Sequence, residues 1–153
     1  MEKFLSENSS LIILSLFFTV VLSYLVIVRN IESKRILKKF ERENIIISSF
    51  GVNYFGLESE PGAPLRSAGA LVLLKDGIYY RARFSKRELY IPGFAIQKVD
   101  IIDTHKGVPL NQKVIGVIFT SQDGRRDRAA FRIPHSAQWI AAIRGIFLQH
   151  KQK

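Results

Sequence analysis

The chain has 153 residues, which gives room for one folded domain and an anchor and leaves little for a second, catalytic domain. It contains no cysteine, which excludes disulfides, thiol catalysis and cysteine metal ligands. The formal net charge of +10 arises from 23 Lys and Arg against 13 Asp and Glu. Such an excess of positive charge is expected in a protein that binds nucleic acid or anionic lipid, or in one whose basic residues orient a membrane segment.

An uncharged stretch extends from Asn8 to Val28, and residues 11–28 are apolar almost throughout. A helix of about 20 such residues crosses the hydrocarbon layer of a bilayer with every backbone group bonded internally. A buried core helix would show a polar stripe, and a cleaved signal peptide would show a basic start and a small-residue cleavage site. Neither pattern is present. We therefore predict a short extracytoplasmic tail at residues 1–9 and an uncleaved transmembrane helix at residues 10–28.

Basic residues are concentrated directly after the predicted span, whereas only Lys3 precedes it. Lys and Arg near a span stay on the cytoplasmic side, so we expect a C-terminal domain on the cytoplasmic side of an inner or plasma membrane. Residues 29–44 are predicted to form a helical stalk, which the spacing of Lys39 and Glu43 supports. Its cations either set the topology alone or also hold anionic lipid headgroups, at about 1 kcal/mol each. They are Arg29, Lys34, Arg35, Lys38, Lys39 and Arg42.

Residues 45–149 change to short β-branched and aromatic runs, which are typical of strands. The first two runs are Ile45–Phe50 and Val52–Phe55, and the glycines that follow each of them suit a bend or bulge. A loop rich in turn residues then covers Glu58–Pro64. We expect this segment to begin a mainly-β domain.

Two hairpins follow, each around an Asp-Gly turn that is expected to need positive φ. The Asp76-Gly77 turn joins Ala70–Leu74 to Ile78–Phe84, and alternation in the second arm predicts one buried face and one wet face. The buried side chains would be Ile78, Tyr80, Ala82 and Phe84, and the wet ones Tyr79, Arg81 and Arg83.

The second hairpin joins Val114–Thr120 to Asp127–Ile133 through Asp123-Gly124, and two short strands, Glu88–Ile91 and Ala95–Asp103, lie between the hairpins. About seven antiparallel strands result, the number typical of a sandwich or partly open barrel. After Pro134 the period becomes helical. We expect one C-terminal α-helix to close the barrel with Trp139 as its main core residue, before a basic tail at residues 150–153.

Three segments carry a resemblance to a known superfamily. RSAGALVLLKDGIYYRARFSKRELYIP, VDIIDTHKG and DGRRDRAAFRIPHSAQWIAAI resemble bacterial pleckstrin-homology-like (PH-like) and GRAM-type domains, over roughly Phe50 to Phe147. The resemblance implies a PH-like β domain that acts as an adaptor for lipid headgroups, peptides or partner proteins, without enzymatic activity. Phosphoinositide-binding members carry basic residues between the first two strands. Here that loop holds Glu58 and Glu60 with only Arg66, which argues against tight phosphoinositide binding.

Clustered cations supply the candidate binding residues of the β domain. Arg81, Arg83, Lys86, Arg87 and Arg66 are candidates for lipid or partner binding, and Arg125, Arg126 and Arg128 form a second group. Both groups would attract acidic lipid, an acidic partner or RNA, or would simply form a solvated face. Nucleic acid is disfavoured because no aromatic residues are arranged as stacking platforms.

Asp103 and His105 are the one carboxylate and imidazole placed to act together, as a general base or metal ligands. No nucleophile elbow, second ligand pair, phosphate-binding loop or nucleotide fingerprint accompanies them. A hydrolase or metal-dependent enzyme is therefore a remote alternative, and we expect neither a metal nor a cofactor. The sequence favours a membrane-anchored cytoplasmic adaptor or scaffold that binds a protein or peptide, with a sensor of anionic lipid surfaces as the alternative.

Overall fold

A computed structural model describes residues 9–149, and the chain divides into two units after Lys39. The first unit contains one helix, α1, at Ser9–Lys39, which is long and apolar enough to cross a membrane. Its most apolar window of 18 residues has a mean hydropathy of 2.8. Residues 1–8 of the predicted tail and the predicted basic tail at 150–153 lie outside the described residues.

The helix ends five residues before the end of the predicted stalk. Residues 42–44 form a short 3-10 turn, and Ile45 begins the first strand. The predicted pairing of Lys39 with Glu43 along one helix is therefore wrong, because Glu43 lies beyond the last helical residue. Arg29, Lys34, Arg35, Lys38 and Lys39 are on α1, whereas Arg42 is in the 3-10 turn of the second unit.

The second unit is built on one antiparallel sheet of seven strands. They are β1 Ile45–Leu57, β2 Ser67–Leu74, β3 Gly77–Ala82, β4 Glu88–Pro92, β5 Ile96–His105, β6 Val108–Thr120 and β7 Arg126–Arg132. Neighbouring strands pair in the order β4-β3-β2-β1-β7-β6-β5, so among the described strands β4 and β5 are the two edges. The predicted fold class is confirmed: an apolar N-terminal helix, an open antiparallel sheet of seven strands and a short C-terminal helix.

The first strand is longer than either run that predicted it. Ile45–Phe50 and Val52–Phe55 belong to one strand of 13 residues, which pairs with β2 along most of its length and with β7 near its end. Gly51 and Gly56 have φ of +76° and +88°, and a register shift accompanies each of them. The predicted bulges therefore bend one continuous strand, which joins the two halves of the sheet.

The C-terminal helix closes the core. Helix α2 extends over Ser136–Ile143 and continues as a π-helical segment at Arg144–Leu148. Trp139 is 2% exposed and belongs to the main apolar core, which also contains the stacked rings of Tyr54 and Phe131, with centroids 5.1 Å apart. The prediction that Trp139 is a core residue of a closing helix is confirmed.

The end of the helical segment rests on the connection between β4 and β5. A Cβ atom added to Gly93 would lie 2.2 Å from a ring carbon of Phe147. Only a glycine therefore allows the ring to sit so close to that connection.

The first hairpin differs from its prediction in three respects. Gly77 does not have positive φ; instead, a Cβ there would lie 2.5 Å from the carbonyl oxygen of Ile91 on β4, so the glycine serves a close approach of two strands. Strand β3 ends at Ala82, so Phe84 is 80% exposed rather than buried. Tyr79, which was expected to face solvent, is only 2% exposed. The ring of Phe40 packs against it, with 4.8 Å between the two ring centroids.

Candidate functional site

Two of the predicted binding arginines are paired with carboxylates inside the domain. Arg81 on β3 binds Glu88 on the neighbouring strand β4, with 3.0 Å between the nitrogen and the oxygen. Arg87 binds Glu60 in the β1–β2 loop, and its guanidinium lies 5.0 Å from the centroid of the buried Tyr54 ring. Both arginines therefore form ion pairs with carboxylates of the same domain.

The acidic β1–β2 loop is held in place from both sides. A carboxylate oxygen of Glu60 accepts a hydrogen bond from the backbone N–H of Leu57 at 3.1 Å, and Glu58 binds Arg128 of β7 at 2.7 Å. The buried Asp127 accepts hydrogen bonds from the backbone and the hydroxyl of Ser59, at 3.1 and 2.5 Å. Glu58 and Glu60, which depart from the phosphoinositide-binding pattern, thus anchor their loop to the sheet.

The predicted second basic group is also divided. Arg128 is occupied by Glu58, and Arg125 lies 3.2 Å from Asp123 in the β6–β7 turn. Arg126 is exposed at the start of β7. The structure does not bring these three side chains together around a common pocket.

A different set of side chains lies where β2 begins and β3 ends, and all of them except the half-buried Arg83 are exposed. Leu65 and Phe84 are 75% and 80% exposed, and the Arg83 guanidinium lies 6.0 Å from the Phe84 ring centroid. Arg66 and Lys86 are exposed, and within residues 9–149 neither forms an ion pair. We call these five residues the loop tip.

The structure separates Asp103 from His105. His105 is fully buried, and its Nε2 donates a hydrogen bond to the Gly56 carbonyl at 3.0 Å, whereas Asp103 is exposed. Burial lowers the pKa of His105 below its usual value, and its Nδ1 has no hydrogen-bond partner among the described residues. The part of the chain that the structure covers holds no group of three or more His, Asp or Glu arranged for a metal. The imidazole is thus a packed, neutral group at a strand end.

One groove lies between the edge strand β5 and the C-terminal helical segment. It has a volume of about 570 Å³ and is lined by Gln97, Lys98, Val99, Asp100, Arg144, Leu148 and Gln149. Arg144 reaches across it, donating hydrogen bonds to the Val99 carbonyl at 3.0 Å and to the Asp100 carboxylate at 2.9 Å. Lys98 and Arg144 together lower the pKa of Asp100, which holds it in the charged form.

Main-chain groups of β5 face outward at this edge of the sheet. The Val99 carbonyl faces away from β6, because Arg144 binds it, and the register between Lys98 and Ile102 is regular. Alternate residues of an antiparallel strand present their N–H and C=O to the same edge, so those of Ile101 face outward too. The Ile101 side chain is 49% exposed. Sequence reasoning missed this site, because no residue pattern tells which strand is an edge or where a helix leaves it open.

A second, more apolar groove of about 820 Å³ lies beside the other edge strand. Its lining includes Leu57, Leu89, Tyr90, Pro92, Phe94 and Phe119. Phe94 is 83% exposed at the connection between β4 and β5. No charged side chain lines this groove, so it offers apolar contact but no charge that would discriminate between ligands.

Comparison with known proteins gives a fold and no function. No protein-family model matches the chain, and no curated protein matches it. Among solved structures it is similar to the C-terminal domain of an unknown protein from Leishmania infantum, with a TM-score of 0.51 and 15% identity over 76% of this chain and 98% of that one. A structure of the 8S snRNP assembly intermediate matches with a TM-score of 0.49 and 9% identity, over 69% of this chain and 80% of the other.

Proposed function

We propose that the chain is a membrane-anchored adaptor whose PH-like β domain binds an extended segment of a partner protein along the outer edge of β5. The observation that carries the proposal is the groove between this edge and the C-terminal helical segment. Beyond the groove, the backbone groups of Ile101 continue the same outer edge of β5. A peptide added to a sheet edge gains main-chain hydrogen bonds, and the groove beside it selects side chains. The fold needs no catalytic group for this role.

The chemistry of the groove describes the segment that would fit it. Lys98 and Arg144 flank Asp100, so both signs of charge are present within a few ångströms. Leu148 adds apolar surface on the helical side. A strand with alternating apolar and polar residues would complement this surface better than a uniformly acidic one.

The anchor and its orientation complete the proposal. Helix α1 has the length and apolarity to span a bilayer, and the basic residues that follow its apolar part support a cytoplasmic position for the β domain. An adaptor fixed in this way would hold its partner close to the membrane, which raises the effective concentration of the partner there.

The test uses the full-length protein with a photo-crosslinking amino acid in place of Lys98, whose side chain is 61% exposed. Ile101→Pro removes the outward N–H while leaving the β5–β6 ladder intact, since proline is tolerated at a sheet edge. We expect a discrete cross-linked partner in cells that is lost in Ile101→Pro.

Ile101→Thr is the matched control, because it alters the same side chain and keeps the N–H. It should retain the cross-link, and both variants should show the same thermal transition by circular dichroism. A cross-link that persists in a folded Ile101→Pro protein would contradict binding by strand addition.

A further inference from the structure

The side chain of Arg144 lies on the outer edge of β5. Its guanidinium donates hydrogen bonds to the Val99 carbonyl oxygen at 3.0 Å and to the Asp100 carboxylate at 2.9 Å. Both bonds come from the same terminal nitrogen, Nη2. Because β6 pairs with the inner side of β5, the Val99 carbonyl is one of the main-chain acceptors that the outer edge offers to an added strand. Arg144 therefore occupies an acceptor that strand addition would use.

The backbone that carries Arg144 is fixed on both sides. Ile143, the residue before it, is 1% exposed and belongs to the main apolar core. Phe147 lies so close to Gly93 that a Cβ atom added there would clash with its ring. Arg144 also begins the π-helical segment, and such segments are frequent at functional sites. The helical backbone can therefore stay in place while the Arg144 side chain alone moves.

The contact of Arg144 with the edge is weak enough to open. Its side chain is 54% exposed, and water competes for both partners of an exposed ion pair. The Asp100 carboxylate is also bound by Lys98, at 2.6 Å. When Arg144 moves away into solvent, Asp100 keeps Lys98 as its counter-ion. Opening therefore leaves the charge of Asp100 paired.

The geometry of Arg144 differs from that of a charge that merely protects an edge. Charged side chains commonly protect sheet edges against accidental pairing, and Lys98, which is 61% exposed on β5 itself, already supplies such a charge. Arg144 comes from another element and binds a main-chain acceptor beside a groove of about 570 Å³. A contact of this kind competes directly with a ligand strand for the same hydrogen bond.

We propose that Arg144 is an autoinhibitory latch, which covers the Val99 carbonyl and must be displaced before an extended segment can pair with the outer edge of β5. This inference rests on the proposed function and adds how that site is regulated. Binding then requires the open state, so the latch lowers the apparent affinity for any strand by the fraction of molecules that are open.

The test places a photo-crosslinking amino acid at Gln149, which is exposed on the helical side of the groove and leaves Lys98, Asp100 and Arg144 unchanged. A second copy of the purified full-length protein in detergent is the probe strand, because open sheet edges pair with one another. Arg144→Ala should raise the yield of cross-linked dimer about two- to fivefold at equal concentration, as the loss of an exposed ion pair predicts. Ile101→Pro in the same variant should abolish the gain, since it removes an N–H from the edge.

Arg132→Ala is the matched control. It removes the same charge from an exposed arginine at the end of β7, which lies outside the groove and forms no ion pair within residues 9–149. The control should give the dimer yield of the parent protein. Every variant should keep the thermal transition of the parent by circular dichroism, so that a changed yield reports the edge rather than unfolding.

The same variants in cells separate this inference from the proposed function. A partner cross-linked from position 149 in larger amount in Arg144→Ala would support both. If neither the parent nor the variant cross-links a partner, the proposed function fails, and the dimer yield alone decides whether Arg144 is a latch. The latch is overturned if folded Arg144→Ala gives no more cross-linked dimer than the parent, or no more cross-linked partner where one is found. A gain that persists with Ile101→Pro would also overturn it, because the pairing would then not involve the β5 edge.

Discussion

His105 illustrates how the interior of this domain treats a titratable group. Its ring is fully buried, Nε2 is committed to the Gly56 carbonyl, and no described group is hydrogen-bonded to Nδ1. Burial is the main cause that lowers its pKa, and the nearby Arg128 and Lys106 act in the same direction. Protonation would place a charge at Nδ1 without a partner, so the folded state requires the neutral ring.

This requirement predicts a loss of stability at acid pH. Because the folded-state pKa is lowered, the unfolded chain binds the proton more readily, and the contribution of His105 is complete above the unfolded pKa of about 6.5 and is lost as the pH falls below it. Urea unfolding at about pH 7.5 and pH 5.5 should give a lower free energy of unfolding at the acid pH. His105→Gln should remove part of that difference, whereas His135→Asn, at an exposed position, should keep it.

Individual side chains also show what a sequence pattern leaves open. The two Asp-Gly pairs look alike, yet Gly124 has φ of +79° and Gly77 is required by the closeness of β4. Strand alternation correctly predicted that Tyr80 is buried, but its prediction that Phe84 is buried was wrong. Nothing in the pattern shows that β3 ends two residues before Phe84. Such outcomes depend on neighbours that are distant in the sequence.

Among the secondary-structure elements, the C-terminal helix is the one whose packing the sequence predicts best. Its period places Trp139, Ile140 and Ile143 on one side, and all three are buried. Strand β6 was predicted less well, since it starts at Val108 rather than at the predicted Val114. Its first six residues are mostly polar or half-exposed, so they carry too weak an alternation to indicate a strand.

Trp139→Ala should therefore destabilise the domain by about 3–5 kcal/mol, because a large buried ring is replaced by a cavity. Trp139→Phe, which keeps most of the apolar volume, should cost clearly less. Trp139 is the sole tryptophan, so unfolding in urea must be followed by circular dichroism rather than by its fluorescence. An unchanged midpoint in Trp139→Ala would mean that α2 does not close the core.

The whole molecule combines an apolar helix with a β domain, and the order of its apolar and basic segments predicts which way it faces. Gln122→Cys, at an exposed turn of the β domain, should resist a membrane-impermeant maleimide in intact cells and react after permeabilisation. Ser6→Cys, in the predicted extracytoplasmic tail, should react in both cases. Labelling of Gln122→Cys in intact cells would reverse the predicted orientation.

The fold could be predicted from the sequence more completely than the candidate site. Apolar runs, turn residues and the change of period at Pro134 together indicated the helix, the seven strands and the closing helix, since these signals are local. The predicted basic site was divided, because Arg81, Arg87 and Arg128 find carboxylates on other loops and strands. The β5 groove was not anticipated, since it depends on strand order and on the course of the C-terminal helical segment.

The contact of Phe147 with Gly93 lies between the two grooves of the domain. Leu148, the next residue, lines the groove beside β5, and Phe94, the residue after Gly93, lines the apolar groove beside β4. A partner that widened the β5 groove by moving the helical segment would release the Phe147 ring and free the β4–β5 connection to shift. The two grooves thus have a common boundary, and a side chain added at Gly93 would disturb both of them.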